Sequence, residues 1–241
     1  MTNKLSIVAM VPARRGSTRL KQKNLALLNG KPLIGYAIQA ARQAKVFDKI
    51  VVNSEDKIFG KIAARYGVEF YQRPAHLATS EAKSDDVVND FITHYPSDVV
   101  VWMNPIAPLQ PAQEVREAVD YFLKENLDTL ITVKNEPVHC VCEGKPVNFN
   151  PDELFARTQD LALVQAFVYS LMMWRTKAFQ ENYQRRGYAI LCGKIGYYPV
   201  SKLSAVIIKK EEDLRLAEYL LAGMEARKKF SLQYDEVSHE T

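Results

Sequence analysis

Apolar and polar positions along the chain follow two alternating rhythms. Leu5 to Val11 is a continuous apolar run of strand length, and Pro32 to Ala44 places Leu33, Tyr36, Ala37, Ala40, Ala41 and Ala44 at helical spacing. Pro32 suits the first turn of that helix. Lys49–Asn53 predicts a second strand, Asp56–Tyr66 a helix closed by Gly67 as a C-cap, and Val68–Tyr71 a third strand. Lys83–His94 carries Val87, Val88, Phe91 and Ile92 on one helical side, and Val99–Met103 is again a buried strand. The proline-rich turn Asn104–Pro111, a helix over Glu114–Glu125 and a strand over Thr129–Val133 follow. Strands alternating with helices of this length predict an α/β fold: a mainly parallel sheet with helices on both faces. Ligands bind such sheets at the carboxyl ends of the strands, so the Val11–Asn24 loop and the Asn104–Gln110 turn are expected on one functional rim.

The rhythm breaks between Glu136 and Gln165, where three prolines separate short strand-like pieces. A small β-rich dimerisation arm over 136–165 is the expectation, with a surface lobe as the alternative. Strands at Phe167–Trp174 and Ile195–Val200 and a helix from Glu211 to Arg227 resume the pattern. One domain over 1–229, followed by a flexible tail over 230–241, accounts for the chain. Trp102 and Trp174 sit in apolar strand runs and read as core.

Composition removes several classes of function. A net charge of +4 is too mild for a nucleic-acid surface, and no basic-aromatic pattern recurs. No apolar run is long enough to span a bilayer and no secretory leader is apparent, so neither nucleic acid nor membrane is an expected partner and the cytoplasm is the expected location. Cys140 and Cys142 stand beside His139, but no second ligand pair at structural-zinc spacing accompanies them. With Cys192 they read as three free thiols.

The densest chemistry lies in "VPARRGSTRLKQKN", residues 11–24. A loop leaving a parallel strand offers backbone N–H groups to an anion, and Gly16 lets the backbone approach it. Arg14, Arg15 and Arg19 can make bidentate hydrogen bonds to phosphate, Lys21 and Lys23 are mobile point charges, and Ser17 and Thr18 add donors. Asn24 can read a base or ribose edge. Neither a Walker loop nor a dinucleotide glycine pattern is present.

These residues carry a resemblance. The loop is similar to "IPARGGSKRLPGKN", the N-terminal signature of the cytidylyltransferases that activate acidic sugars, of the sialic acid and KDO type. "DKIVVNSED" resembles the family's "DKVVVSTDD", "YGVEFYQRPAHLATSEAKS" its "YGAEVPFRPAELATDTASS", "MNPIAPLQ" its "LQPTSPLR", and "EEDLRLAE" its terminal helix. The likeness is collinear over nearly the whole chain. It implies a Rossmann-like nucleotidyltransferase fold, a homodimer, and attack of a sugar's anomeric hydroxyl on the α-phosphorus of CTP with release of pyrophosphate. It further implies that Arg14, Ser17, Arg19 and Lys23 hold the triphosphate, that Asn24 contacts the cytidine, and that Gly16, Arg73, Ser84 and Asn104 lie at the nucleotide. His139 and Arg157 become candidate contacts to an acidic sugar, and magnesium the expected cofactor.

The departures from that pattern fall on the chemistry. The family writes "DID" where this chain has Ile207-Ile208-Lys209, replacing both magnesium-binding carboxylates, so no metal ligand is assigned. Asp213 reads as a helix cap. Asn104, Ile106, Ala107 and Gln110 replace the family's Gln, Thr, Ser and Arg, Ser80 and Lys83 replace an Asp and a Ser, and Val168-Tyr169 stands in place of Asn-Gly. Three readings follow. Lys209 takes over part of the metal's charge role in a working transferase, with Arg14 and Lys23 as the other catalytic cations. Alternatively, the protein binds CTP, another nucleotide or a nucleotide sugar without turnover, as a sensor or partner subunit. The third reading is a dimeric scaffold.

Overall fold

The computed structural model describes residues 4–226 and residue 232. Strands β1 (Ile7–Pro12), β4 (Lys49–Ser54), β5 (Glu69–Gln72), β6 (Val99–Met103), β7 (Thr129–Glu136), β10 (Val164–Arg175) and β11 (Ile195–Pro199) form one seven-stranded sheet. Two-residue strands make two small hairpins, β2 (Leu27–Leu28) with β3 (Lys31–Pro32) and β8 (Val141–Cys142) with β9 (Lys145–Pro146). The sheet order is β11-β7-β10-β6-β1-β4-β5, and every pairing is parallel except the two made by β10. The mainly parallel α/β expectation holds.

Helices α1 (Leu33–Ala44), α2 (Lys57–Tyr66) and α4 (Ala112–Lys124) pack on one face, over Ala9, Val11, Val52, Val101 and Leu130. Helices α3 (Ser84–His94) and α5 (Thr176–Arg186) cover the other, over Met10, Val51, Val100, Ile131 and Trp174. Period-two alternation along β1 feeds both layers, which is why the run carries no polar residue. A sixth helix, α6 (Glu211–Glu225), packs Ala217 in a separate cluster with Leu28, Leu33, Leu109 and Ile208. That cluster ties the C-terminal segment to the rim.

Local signals explain most boundaries. Asp56 caps α2 by accepting from the Ile58 N–H at 2.9 Å, and Gly67 ends the helix at φ 64°, where a side chain would be strained. Asp213 Oδ2 accepts from the Lys209 and Lys210 N–H groups at 2.8 Å each, so it is the helix cap the sequence suggested. Strand β7 runs three residues beyond Val133, because Glu136 pairs with Val164 across the base of the arm. Helix α5 has no counterpart in the sequence expectations: its apolar residues, Ala178, Phe179 and Tyr183, are too sparse for a helical stripe. The expected tail over 230–241 and the helix end at Arg227 lie outside the described residues, Leu232 apart.

Between β7 and β10 the arm exposes Leu154 (96%) and Phe155 (73%). Strand β10 is irregular between Phe167 and Met172, with Tyr169 at φ 58°. The bulge falls at the Val168-Tyr169 pair that departs from the family pattern.

Candidate active site

Because β1 and β6 are parallel neighbours, the loops leaving their carboxyl ends meet. Together with the segment after β5 and the start of α3, they enclose a cavity of about 310 Å³. Arg14, Ser17, Arg19, Lys23 and Asn24 line it from the first loop, Arg73 and Ser84 from the α3 side, and Asn104 and Ile106 from the β6 turn. Eight of the residues expected at a nucleotide thus surround one space, and Val87, Leu77 and Trp102 give it an apolar end.

The loop's cations divide into two groups. Arg15 points away: its guanidinium pairs with Asp56 at 2.9 Å and its N–H donates to Glu55 Oε1 at 2.9 Å. Its expected phosphate role is therefore corrected, since these bonds fasten the loop to the end of β4. Glu55 Oε2 lies 3.7 Å from Arg73 Nη2, and Arg73 in turn donates to the Ala13 carbonyl at 3.0 Å. Asn24 Nδ2 reaches the Arg14 carbonyl at 3.3 Å, and Arg14 Nη1 the Thr79 carbonyl at 2.9 Å. These links tie the first loop to the end of β4, to Arg73 and to Thr79, so the cavity walls are braced without a ligand.

Arg14, Arg19 and Lys23, by contrast, form no ion pair among the described residues. Burial, and then repulsion from Arg19, Arg14 and Lys209, pulls the Lys23 ammonium down to about 8, with Asp213 opposing weakly. Burial also pulls Arg73 below the usual guanidinium range, with Glu55 resisting. Arg73 is 5% exposed, and its Nε has no hydrogen-bond partner, nor has Trp102 Nε1. Buried donors left unpaired in this way are costly.

Other expectations shift. Gly16 borders an adjoining shallow cleft with Lys21 and Gln22; a side chain there would meet open space, so neither crowding nor backbone strain demands glycine. Asn104 is partly spent on the turn, donating to the Tyr169 carbonyl at 3.1 Å. His139 and Arg157 do not line the cavity. His139 stacks on Phe155 with ring centroids 4.0 Å apart, and Arg157 pairs with Asp160 at 2.7 Å. Within one chain they stay in the arm. Lys209 is exposed and outside the lining, but close enough for its charge to act on Lys23.

Trp102 is the residue sequence reading misplaced. It packs partly against the core under α3 and α5, yet it is the penultimate residue of β6, where the sheet face emerges from its helical cover into the cavity. An indole in an otherwise aliphatic strand end was the available signal.

The donor set does not fit magnesium. No Asp or Glu lines the cavity, and among the described residues no cluster of three His, Cys, Asp or Glu side chains stands ready for a metal. Asp213, the carboxylate acting on Lys23, is held by two backbone N–H groups. Magnesium is usually held by one or two carboxylates beside the substrate phosphates, and the lining offers only hydroxyl and amide oxygens.

Residues 8–233 match the cytidylyltransferase family model. The chain is 35% identical over 117 residues to N-acylneuraminate cytidylyltransferase of Escherichia coli O18:K1:H7, a match covering 48% of this chain and 28% of that protein. It is 34% identical over 167 residues to CMP-N,N'-diacetyllegionaminic acid synthase of Legionella pneumophila, covering 66% of this chain and 71% of that one. The match thus spans under a third of the first relative's length and over two thirds of the second's. In fold it resembles the CMP:2-keto-3-deoxy-manno-octonic acid synthetase solved with CTP, with a TM-score of 0.71 at 15% identity over 91% of this chain and 99% of that one.

Proposed function

The chain belongs to the cytidylyltransferase family, and we propose that it forms a CMP-sugar and pyrophosphate from CTP and an acidic keto-sugar. The observation that carries this reading is the cavity at the end of β1, lined by Arg14, Arg19, Lys23 and Arg73 and by no carboxylate. Such a site is complementary to a polyphosphate.

In the reaction the anomeric oxygen attacks the α-phosphorus, the bond from that phosphorus to the bridging oxygen breaks, and pyrophosphate leaves with the electron pair. The hydroxyl proton passes to solvent. What the protein supplies is position and fixed positive charge. Arg14, Arg19 and Lys23, with Ser17 as a donor, hold the phosphates and stabilise the charge on the departing pyrophosphate. The braced walls keep Asn24, Arg73, Ser84 and Asn104 at the nucleoside end. Magnesium, the family's expected cofactor, finds no carboxylate in the cavity lining.

His139 and Arg157 stand off the cavity of their own chain, so a role toward the sugar carboxylate requires the arm of a second copy. The exposed Leu154 and Phe155 support the same homodimer. One domain bearing this arm, acting in the cytoplasm, completes the reading. No helix among the described residues is long and apolar enough to cross a membrane.

A second reading, nucleotide binding without turnover, is favoured by Ile207 and Lys209 at the family's metal positions. A pyrophosphate-release assay with CTP and a panel of nine-carbon and eight-carbon keto-acid sugars separates the two. Release with any sugar supports transfer, whereas CTP binding without release from the whole panel leaves only the binding role.

A further inference from the structure

The Ile207–Lys209 segment is built against the cavity wall. The Ile208 side chain is fully buried with Leu28, Leu33 and Leu109, and its N–H donates to the carbonyl of Ile106, a lining residue, at 2.8 Å. Asp213 fixes the next two N–H groups. Burying Ile208 leaves its neighbours Ile207, half-buried, and Lys209, exposed, beside it. The ammonium of Lys209 therefore adds to the field at Lys23 from outside the lining.

We propose that this chain neutralises the triphosphate with protein cations alone, Lys209 completing the set formed by Arg14, Arg19 and Lys23, so that nucleotide binding does not depend on a divalent metal. The proposal rests on the reading of the cavity as a triphosphate site. Three observations carry it. The lining holds four cationic side chains and no carboxylate. The three loop cations have no anionic partner among the described residues. The one carboxylate acting on Lys23 is already committed to a helix cap. A divalent ion arriving with the nucleotide would cancel charge that these side chains are placed to meet, and would find no carboxylate in the lining to orient it. Lysine supplies charge without octahedral geometry, which is enough for binding.

Calorimetric titration of the full chain with CTP, once in EDTA and once with magnesium chloride in excess, tests this. The metal-free Kd is expected to be equal to or tighter than the Kd with magnesium, because the affinity comes from charge that the ion would screen. A metal-free Kd more than about threefold weaker overturns the inference. Lys209→Ala is expected to lose at least about fivefold in metal-free affinity, and Lys209→Arg to keep it. The capping N–H survives in both variants, so the fold is retained. Wild-type affinity in Lys209→Ala also overturns the proposal. No heat with CTP in either buffer refutes the nucleotide reading itself, whereas heat only with magnesium refutes this inference and spares that reading.

Discussion

Lys23 should cost the ligand-free protein stability, and removing its charge should return it. The ammonium is half-buried, and burial together with Arg19, Arg14 and Lys209 lowers it from 10.5 to about 8. That gap corresponds to about 3 kcal/mol, which solvent screening of a partly exposed group reduces to roughly 1–2 kcal/mol. The folded state disfavours the charged form. The penalty is therefore complete below pH 8, fades as pH rises, and vanishes above 10.5, where the unfolded chain also releases the proton. Lys23→Met keeps the backbone bonds that Lys23 makes to Leu20 and Ala26. It is expected to raise the Tm at pH 7 by about 3–6 °C for a domain of this size. The same substitution removes a charge-assisted contact and should weaken CTP binding by roughly 10–100-fold. Thermal unfolding of both proteins from pH 7 to 10.5, without ligand, reads the first effect, and calorimetry reads the second. The variant's advantage should shrink steadily above pH 8. A variant no more stable than the parent at pH 7, or an advantage that does not change with pH, would refute the reasoning.

The two groups of loop cations should separate by mutation. Arg19→Ala is expected to lower CTP affinity by at least about tenfold, and Arg15→Ala by less than about threefold, since Arg15 is paired with the Asp56 carboxylate; equal losses in calorimetry would contradict the division. The arm should carry the dimer: Leu154→Asp with Phe155→Asp is expected to move the protein from dimer to monomer in sedimentation velocity. A monomeric parent, or a variant that stays dimeric, would remove the arm from that role.

The sheet was largely legible because its strands are buried on both faces and its helices on one, so the apolar rhythm changes at each boundary. Helix α5 escaped for the opposite reason. It packs Phe179 at a Trp174 edge with only Ala178 and Tyr183 beside it, too few apolar residues to leave a periodic stripe. The place of the cationic loop on the rim at the end of β1 was legible, yet its internal division was not. Whether Arg15 faces a phosphate or Asp56 depends on where β4 ends beside β1, which is a fact of register. Trp102 was misplaced because alternation assigns a residue to a sheet face without saying where the covering helices stop. His139 and Arg157 were drawn to the site by resemblance, and in the chain they stay with the arm.

The division within the loop also explains how so many cations share one short segment. Arg15, Glu55, Asp56 and Arg73 compensate one another, and their bonds hold Ala13, Arg14 and the end of β4 in place. That braced tier lets Arg14, Arg19 and Lys23 converge without an ion-pair partner among the described residues, because the backbone that carries them cannot relax the repulsion by moving apart. Burial and then this repulsion lower Lys23, and an arriving anion offsets both. Affinity and apo instability thus have one source, and a carboxylate added to ligate a metal would weaken both. In that light the absence of acidic residues from the lining is consistent with the cationic design, and Ile207 and Lys209 belong to it as well.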